Sequence, residues 1–373
     1  MQPDVLIVGA GIIGAACADA LSAQGLRVTV IERDAVGSGA TAAGMGHLVA
    51  MDDNAAELAL SSHSLELWKD LVECQPQRHE YSNCGTIWVA ADDEELEAAR
   101  AKAVTMSAHG LQCDVIGAQE LYRLERQLRP GLAGALLVQG DGLVYPPKSA
   151  RILLARAVAR GASLVMGEVV ALEQGGVVLS DGSRVSAGQI VLAAGTRCLS
   201  LAQDLPLRPK KGHVMITDRY PGFIRHQLVE LGYIKSAHAS EGESVAFNLQ
   251  PRPTGQVLIG SSRQFDTVDM AAEPSMMARM LARAAEYTPA LAGLNVLRCW
   301  TGLRAATPDG LPLIGPDPSR RNVWLATGHE GLGITTSLAT AELLAAQMTG
   351  SRAGIDMQPY LPSRFGGQGR AYG

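Results

Sequence analysis

Residues 4–34 constrain the fold more than any other stretch, because they combine a strand, a glycine turn, a helix and a second strand. The apolar run Val5–Val8 suits a strand that is buried on both faces, and it is too short for a helix. Gly9, Gly11 and Gly14 follow with G-x-G-x-x-G spacing. These glycines permit a tight turn, the approach of a pyrophosphate to the backbone, and close packing of helix on strand. The pattern predicts a dinucleotide site.

The next two segments complete the same unit. A helix over about Ile12–Gln24 would direct unpaired N–H groups and its positive dipole end at the phosphates. A second strand, Leu26–Ile31, leads to Glu32, whose carboxylate can accept hydrogen bonds from both hydroxyls of an adenosine ribose. The motif by itself leaves both FAD and NAD open as the ligand.

Composition excludes several classes of protein. The chain has 373 residues, of which 47% are hydrophobic and 18% charged, as in globular proteins of one large domain or two. The net charge of −5 comes without basic runs, so we expect no nucleic-acid partner. No apolar stretch reaches the roughly 18 residues of a membrane span. Because the first strand begins at residue 4, a signal peptide has no room, and we expect a cytoplasmic protein.

The cysteines are scattered, without a C-x-x-C pair or a matching histidine spacing. This pattern predicts reduced thiols in the core and no metal or iron–sulfur site. The six are Cys17, Cys74, Cys84, Cys113, Cys198 and Cys299.

The middle of the chain contains segments that do not fit the nucleotide-binding unit, and later segments fit that unit again. Apolar or alternating segments with short turns predict an antiparallel sheet. Its strands are expected at Gly212–Asp218, Leu228–Ile234, Ser244–Gln250 and Gln256–Ser261. We therefore predict a discontinuous nucleotide-binding domain of residues 1–75, 148–210 and 298–362. Residues 76–147 and 211–297 would form a second domain, and residues 363–373 a disordered tail.

A second glycine turn, Gly328–Gly333, stands between a predicted strand, Val323–Thr327, and a predicted helix, Ile334–Met348. It places a second helix N-terminus at the nucleotide-binding domain. A reduced flavin carries negative charge near N1 and C2=O, which a helix dipole stabilises. An NAD enzyme has no such need, so this turn favours a flavin.

Taken together, these motifs resemble the D-amino-acid oxidase superfamily of flavoproteins, which includes glycine oxidase, sarcosine oxidase and D-amino-acid dehydrogenases. Besides both glycine turns and Glu32, the resemblance rests on the small-residue stretch Ala40–Gly44 and on Leu303-Arg304 within Trp300–Gly315. It extends over nearly the whole chain in the right order. It implies FAD, and an α/β fold in which a Rossmann-like FAD-binding domain is interleaved with an antiparallel-sheet substrate domain. The implied reaction is oxidation of a C–N bond beside a carboxylate by hydride transfer to flavin N5.

The motifs and the resemblance together predict the residues that bind the cofactor. They are Gly9, Gly11, Ile12, Ile13, Gly14, Glu32, Arg33, Ala40, Thr41, Ala43, Gly44, Met45, Gly46, Val169, Ala194, Gly195, Gly302, Arg304, His329, Glu330, Gly331, Leu332, Gly333 and Ile334.

By position, Arg304 resembles the family arginine that clamps the substrate carboxylate. A planar bidentate donor fixes both the position and the tilt of a carboxylate. The alternative is an ion-paired structural arginine. Asn248, Tyr233 and His47 are predicted to shape specificity. No general base is evident, and hydride transfer from a neutral amine does not require one.

The sequence also departs from the family. Asn248 stands where glycine oxidase has a tyrosine, and Gly331 where it has a second arginine, so we expect a pocket that lacks one ring and one positive charge. Monomeric sarcosine oxidase attaches its flavin through a cysteine at the position of Gly302, and Cys299 is three residues away. Non-covalent FAD is therefore predicted.

A looser resemblance links residues 43–53 and 328–336 to the flavin subunits of multi-component hydroxyproline and opine dehydrogenases. It implies a D-proline-like substrate such as cis-4-hydroxy-D-proline, and electrons that leave to partner subunits, where any clusters would lie. An oxygen-dependent glycine or sarcosine oxidase and a non-catalytic electron-relay flavin subunit remain alternatives. We expect an oligomer, and the lack of a G-x-S-x-G elbow disfavours a serine hydrolase.

Overall fold

A six-stranded sheet forms around the first strand of the chain in the computed structural model, which describes residues 2–232 and 242–366. Every strand pair in it is parallel except the pair at one edge, β18 (Leu313–Pro316) with β19 (Val323–Thr327). In spatial order its strands are β18 (Leu313–Pro316), β19 (Val323–Thr327), β12 (Gln189–Leu192), β1 (Val5–Val8), β2 (Val28–Glu32) and β8 (Ser163–Met166). All four residues of β1 are buried, as its unbroken apolar run predicts.

An eight-stranded sheet forms the second layer that builds the site. Its strands run in the order β17 (Val296–Ala306), β13 (Arg208–Thr217), β16 (Val257–Phe265), β15 (Ser244–Pro251), β14 (Gln227–Glu230), β4 (Thr86–Ala90), β6 (Gly134–Val138) and β5 (Cys113–Gly117). The predicted antiparallel sheet is present, but β14 and β4 pair in parallel. That difference arises because β4 comes from the earlier part of the chain and enters the sheet beside β14.

Two small sheets and the helices complete the fold. The small sheets comprise β9 (Val169–Glu173), β10 (Gly176–Leu179) and β11 (Arg184–Ser186), and β3 (His47–Leu48) with β7 (Gly142–Leu143). The α-helices are α1 (Ile12–Ala23), α2 (Ala40–Ala43), α3 (Ala55–Glu73), α4 (Pro76–His79), α5 (Asp93–Ala108), α6 (Ala118–Leu124), α7 (Pro146–Ala159), α8 (Cys198–Leu201), α9 (Pro274–Tyr287) and α10 (Ser337–Thr349). Short 3₁₀ turns occur at Gly195–Arg197, Pro289–Gly293, Gln358–Tyr360 and Pro362–Phe365.

Small side chains let the helices approach the parallel sheet closely. Ala15, Ala16 and Ala18 of α1 are buried, and this helix lies against both α7 and α10. Apolar residues from these elements form a core that also includes Trp68 of α3. The opposite face of the eight-stranded sheet has a separate core beneath α9. The predicted α/β fold is thus confirmed.

Several local predictions need correction. Helix α10 begins at Ser337, three residues after the predicted start at Ile334, because residues 331–336 continue the turn. The tail was predicted to begin at residue 363, but Pro362–Phe365 forms a 3₁₀ turn in which Arg364 binds Asp309. Residues 367–373 and Tyr233 lie outside the described residues.

The cysteine prediction holds only in part. Cys17 and Cys198 are buried, and burial raises the pKa of Cys17 to about 12 and that of Cys198 to about 11. Cys74 is exposed, because it caps the C-terminal end of α3 at the surface. The cysteines are thus not a uniform set of core thiols.

Candidate active site

The first glycine turn has the close contacts that its spacing predicts. A Cβ on Gly14 would lie 1.9 Å from the carbonyl oxygen of Gly9, so α1 approaches the turn too closely for any other residue. Gly9 has a φ of 103°, and a Cβ there would lie 2.8 Å from the carbonyl oxygen of Ala193. Ala194 borders the same turn from the end of β12. Glycine is therefore required at both positions.

Glu32 lies at the end of β2 beside this turn. Its Oε2 accepts a hydrogen bond from the backbone N–H of Ala10 at 2.6 Å, and its Oε1 accepts one from that of Asp34 at 2.8 Å. Arg33 pairs instead with Asp34 and Glu168. The Glu32 carboxylate is thus fixed next to the glycine turn, where the ribose of a dinucleotide would bind.

The small-residue stretch 40–46 links the glycine turn to a large cavity. Thr41 Oγ1 accepts the backbone N–H of Ile12 at 2.9 Å, which ties α2 to the start of α1. Glycine is required nearby, because a Cβ on Gly302 would lie 2.5 Å from the Cβ of Ala43, and one on Gly46 would lie 2.1 Å from the carbonyl oxygen of Val144. Small residues here allow β17 and the loop before α7 to close around the stretch.

The second glycine turn borders the same region. Gly333 is close to Ile13 of α1, so the two turns are neighbours. The His329 Nε2 lies 3.0 Å from Thr340 Oγ1 of α10, and burial lowers the pKa of His329 to about 3. This histidine is therefore a neutral link between the turn and the helix. Because α10 begins at Ser337, its dipole starts about one turn farther from Gly331 than predicted.

The cavity lies between these loops and one face of the eight-stranded sheet. Many of the predicted cofactor residues line it: Ala40, Ala43, Gly44, Met45, Gly46, Gly302, Arg304, His329, Glu330, Gly331, Leu332 and Ile334. The others surround the first glycine turn and the strand ends beside it, or stand at the second turn: Gly9, Gly11, Ile12, Ile13, Gly14, Glu32, Arg33, Thr41, Val169, Ala194, Gly195 and Gly333. Of the predicted specificity residues, His47 and Asn248 line the cavity with Arg304.

Arg304 reaches across the sheet rather than straight up from its own strand. Its Nη1 donates to the carbonyl oxygen of Ser262 on β16 at 3.1 Å, although β13 lies between the two strands. It crosses β13 above Gly212, where a Cβ would lie 2.5 Å from Nη2. Gly212 thus provides the space in which the guanidinium lies, a role that sequence analysis did not identify.

The cavity does not lack a second positive charge, contrary to our expectation. Gly331 indeed carries no side chain, but Arg263 of β16 lines the cavity. Its guanidinium is 3.9 Å from Glu330, and Lys210 binds the same carboxylate at 2.6 Å. Burial alone would raise the pKa of Glu330, but Lys210, Arg263 and Arg304 together hold it below its usual range. The compensating arginine is on a different strand, so comparison at position 331 could not reveal it.

Two acidic residues at the far side of the cavity were also missed. Asp53 and Glu57, at the start of α3, both line it. Burial, with the charges of Asp53, Glu330 and Asp52, raises the pKa of Glu57 to about 7. A charge run at a helix start usually indicates a solvated face, so the sequence carries no signal for this placement.

These residues fit FAD. The first turn has the glycine spacing that a diphosphate requires, and Glu32 is placed for ribose hydroxyls. The small-residue stretch 40–46 joins this turn, through the Thr41–Ile12 hydrogen bond, to the wall of the cavity. No group of three His, Cys, Asp or Glu side chains within residues 2–232 and 242–366 is arranged for a metal ion. Fold and site together define a flavin-dependent oxidoreductase.

Comparison with known proteins leads to the same class of enzyme. The profile described as DAO, FAD-dependent oxidoreductase, matches residues 4–347, so the chain belongs to the DAO family of FAD-dependent oxidoreductases. It is 30% identical to a glycine oxidase of Pseudomonas aeruginosa, over 97% of this chain and 99% of that protein. It is 27% identical to hydrogen cyanide synthase subunit HcnC of Pseudomonas aeruginosa, over 97% and 96% of the two chains. The crystal structure of glycine oxidase from Geobacillus kaustophilus superposes with a TM-score of 0.86 and 27% identity, covering 97% of this chain and 99% of that one.

In the part of the chain that the structure describes, no helix combines the length and the apolar character needed to cross a membrane.

Proposed function

We propose that this enzyme oxidises the C–N bond beside the carboxylate of a small amino or imino acid, with D-proline or cis-4-hydroxy-D-proline as the best candidates. Arg304 is the observation that carries this proposal. Its guanidinium is anchored through Nη1 to Ser262 and lies in the cavity that the flavin-side loops also line. A planar donor held in this way can bind a carboxylate in one orientation.

The rest of the cavity supports a substrate larger than glycine. Beyond Asn248, its wall is formed by apolar side chains of Val49, Met51, Trp88 and Val229. Such a wall suits the methylene groups of a five-membered ring, whose burial contributes about 0.8 kcal/mol for each CH₂. Glycine would leave this wall without a partner.

The chain's own residues bind and orient, and they do not need to remove a proton during the reaction. FAD, when bound, supplies the hydride acceptor. His329 is buried and His47 is half-buried. Loss of solvent around each ring holds its pKa well below neutrality, so both are uncharged. Two uncharged histidines and a cationic clamp favour a substrate that presents its carboxylate to Arg304 and binds with its amine already neutral.

We also propose non-covalent FAD and partner subunits as electron acceptors. Gly302 cannot bond a flavin, and Cys299 packs in the apolar core on the other face of the sheet. The relative HcnC is itself a subunit, which supports an oligomeric assembly with electron-carrying partners. Acid denaturation should release all of the yellow colour from the chain. Colour that stays on the protein would refute non-covalent binding.

An oxygen-dependent glycine or sarcosine oxidase is the second candidate, favoured by the 30% identity to glycine oxidase. A non-catalytic electron-relay subunit is the third, and Arg304 argues against it, since a relay needs no carboxylate clamp.

Anaerobic reduction separates these candidates. The purified yellow protein is mixed with D- and L-amino acids, glycine, sarcosine and the hydroxyproline epimers, and air is then admitted. Bleaching of the flavin by D-proline-like compounds with slow recovery in air is the expected result. Bleaching by glycine or sarcosine with fast recovery and peroxide would identify an oxidase. No bleaching by any compound would support the relay.

A further inference from the structure

The side-chain amide of Gln227 has a defined orientation beneath the cavity wall. Its Nε2 donates to the carbonyl oxygen of Gly142 at 2.9 Å and to Thr86 Oγ1 at 3.3 Å. A backbone carbonyl cannot donate, so the amide cannot be reversed without losing the first bond. Oε1 of Gln227 therefore faces the His47 ring, where it contacts Nδ1.

This orientation determines the tautomer of His47. Because the amide oxygen only accepts, Nδ1 must carry the ring proton. Burial lowers the pKa of His47 to about 4, with a further contribution from Arg252, although the bond to Gln227 acts the other way. The neutral ring thus presents a lone pair on Nε2.

Asn248 is oriented in turn by that lone pair. Its Nδ2 lies 3.5 Å from His47 Nε2, at the limit of a hydrogen bond. The reversed amide would set Oδ1 against the lone pair, so Oδ1 points away from the ring. This Oδ1 is buried, and no donor among the described residues reaches it. A buried acceptor without a donor costs about 1–3 kcal/mol.

We infer that Asn248 and His47 form a subsite that accepts a hydrogen bond from a hydroxyl group of the substrate. Both residues line the cavity. The open acceptor is Oδ1 of Asn248, and His47 orients it, because Nε2 of His47 already faces Nδ2 of Asn248. The inference rests on the proposed function, because it concerns the same bound substrate. A hydroxyl suits the subsite better than an ammonium group, since neither residue carries a negative charge and the cation Arg252 is near.

The position of the subsite agrees with a small hydroxylated substrate. Asn248 is in register with Gly260 on β16, and Arg304 is anchored two residues farther along β16, at Ser262. Two residues of rise combined with one interstrand spacing put the Cα atoms of Asn248 and Ser262 about 8 Å apart. A five-membered imino acid with its carboxylate on Arg304 and a ring hydroxyl on Asn248 is of this size.

The test uses two ligands that differ by one hydroxyl, D-proline and cis-4-hydroxy-D-proline, and the FAD-loaded enzyme. Binding is measured anaerobically from the change in the flavin spectrum, and reduction is measured separately. In the unaltered enzyme we expect the hydroxylated ligand to bind about tenfold more tightly. In Asn248→Leu, which has a similar volume and no acceptor, the ratio of the two dissociation constants should fall to near one.

Val229→Ala provides the matched control. Val229 lies directly opposite Asn248 on β14 and lines the same cavity with an apolar side chain. Its truncation should weaken both ligands alike and leave the tenfold ratio in place.

The outcomes distinguish the two proposals. Equal affinity for the two ligands in the unaltered enzyme, or an unchanged ratio in Asn248→Leu, would overturn the hydroxyl subsite even if both ligands reduce the flavin. A hydroxyl preference that Asn248→Leu abolishes, without reduction by either ligand, would support the subsite and overturn the proposed reaction. Absence of binding by both ligands would overturn both.

Discussion

The cofactor side and the substrate side of the cavity are built in different ways. On the cofactor side, Gly9, Gly14 and Gly302 pack so closely against neighbouring protein atoms that a Cβ at any of them would clash. On the substrate side, long side chains project from strands that are far apart in the sequence, as Arg304 does when it crosses β13 to reach Ser262. The closely packed glycines tolerate no added side chain, whereas the side chains on the substrate side can be altered one group at a time. We therefore expect substitutions on the first to remove FAD and those on the second to change only substrate use.

The largest effect is expected for Gly14→Ala. The new Cβ would overlap the Gly9 carbonyl oxygen, and relief of the clash requires movement of α1, at a cost of about 3 kcal/mol. The flavin-to-protein absorbance ratio after gel filtration should fall to near zero. Gly293→Ala is the control, because no atom lies within 4 Å of its Cβ position. A yellow Gly14→Ala protein would show that the turn is less tightly packed than we describe.

Arg304→Ala should have the second-largest effect, and it should impair catalysis while FAD binding is retained. The loss of a charged hydrogen-bonding partner for the substrate carboxylate should lower kcat/KM by about a hundredfold. FAD content should stay at the wild-type level. Arg298→Ala, on the exposed part of the same strand over Trp300, should change neither quantity. Loss of FAD in Arg304→Ala would mean that the arginine belongs to the cofactor side.

Gly212→Ala should produce a smaller effect of the same kind. The methyl group would displace the Arg304 guanidinium, whose flexible end can move without unfolding the sheet. We expect KM to rise about tenfold while kcat and FAD content change little. In an Arg304→Ala background the same substitution should have almost no further effect. Additive losses in the double variant would show that Gly212 acts through the sheet and not through Arg304.

The smallest effect concerns pH. Since the pKa of Glu57 is raised to about 7, its side chain is neutral below that pH and negative above it. An added negative charge in the cavity opposes binding of a carboxylate, so KM should rise about two- to threefold between pH 6 and 8. Glu57→Gln should flatten this profile. An unchanged slope in Glu57→Gln would show that the charge of Glu57 does not act on the bound carboxylate.

The difference between the two sides also explains what could be predicted from the sequence. Gly9, Gly11 and Gly14 act within one local unit, so their spacing alone carries the three-dimensional requirement. The N-cap of α5 is local in the same way, because Asp92 accepts the backbone N–H of Glu95 only three residues further on. Family resemblance added Arg304, which no local pattern singles out.

Arg263, Gly212 and Gln227 could not be predicted, because their roles depend on strand register and on the direction of side chains. Gly331 has no side chain, as the sequence shows, but Arg263 on β16 supplies a positive charge to the same cavity. A positive charge in one cavity can come from either of two segments that are distant in the sequence, so no local motif marks which segment supplies it.

The central position of β1 has a consequence for how the protein is made. Val5–Val8 leaves the ribosome long before its partner Gln189–Leu192, which follows almost two hundred residues later, and β19 follows later still. The parallel sheet therefore stays incomplete during most of translation, with an apolar strand edge exposed to solvent. Chain termination before residue 327 would release a protein without a finished cofactor site. FAD capture must accordingly be a late event, and a supply of flavin at that moment should decide how much of the chain escapes aggregation.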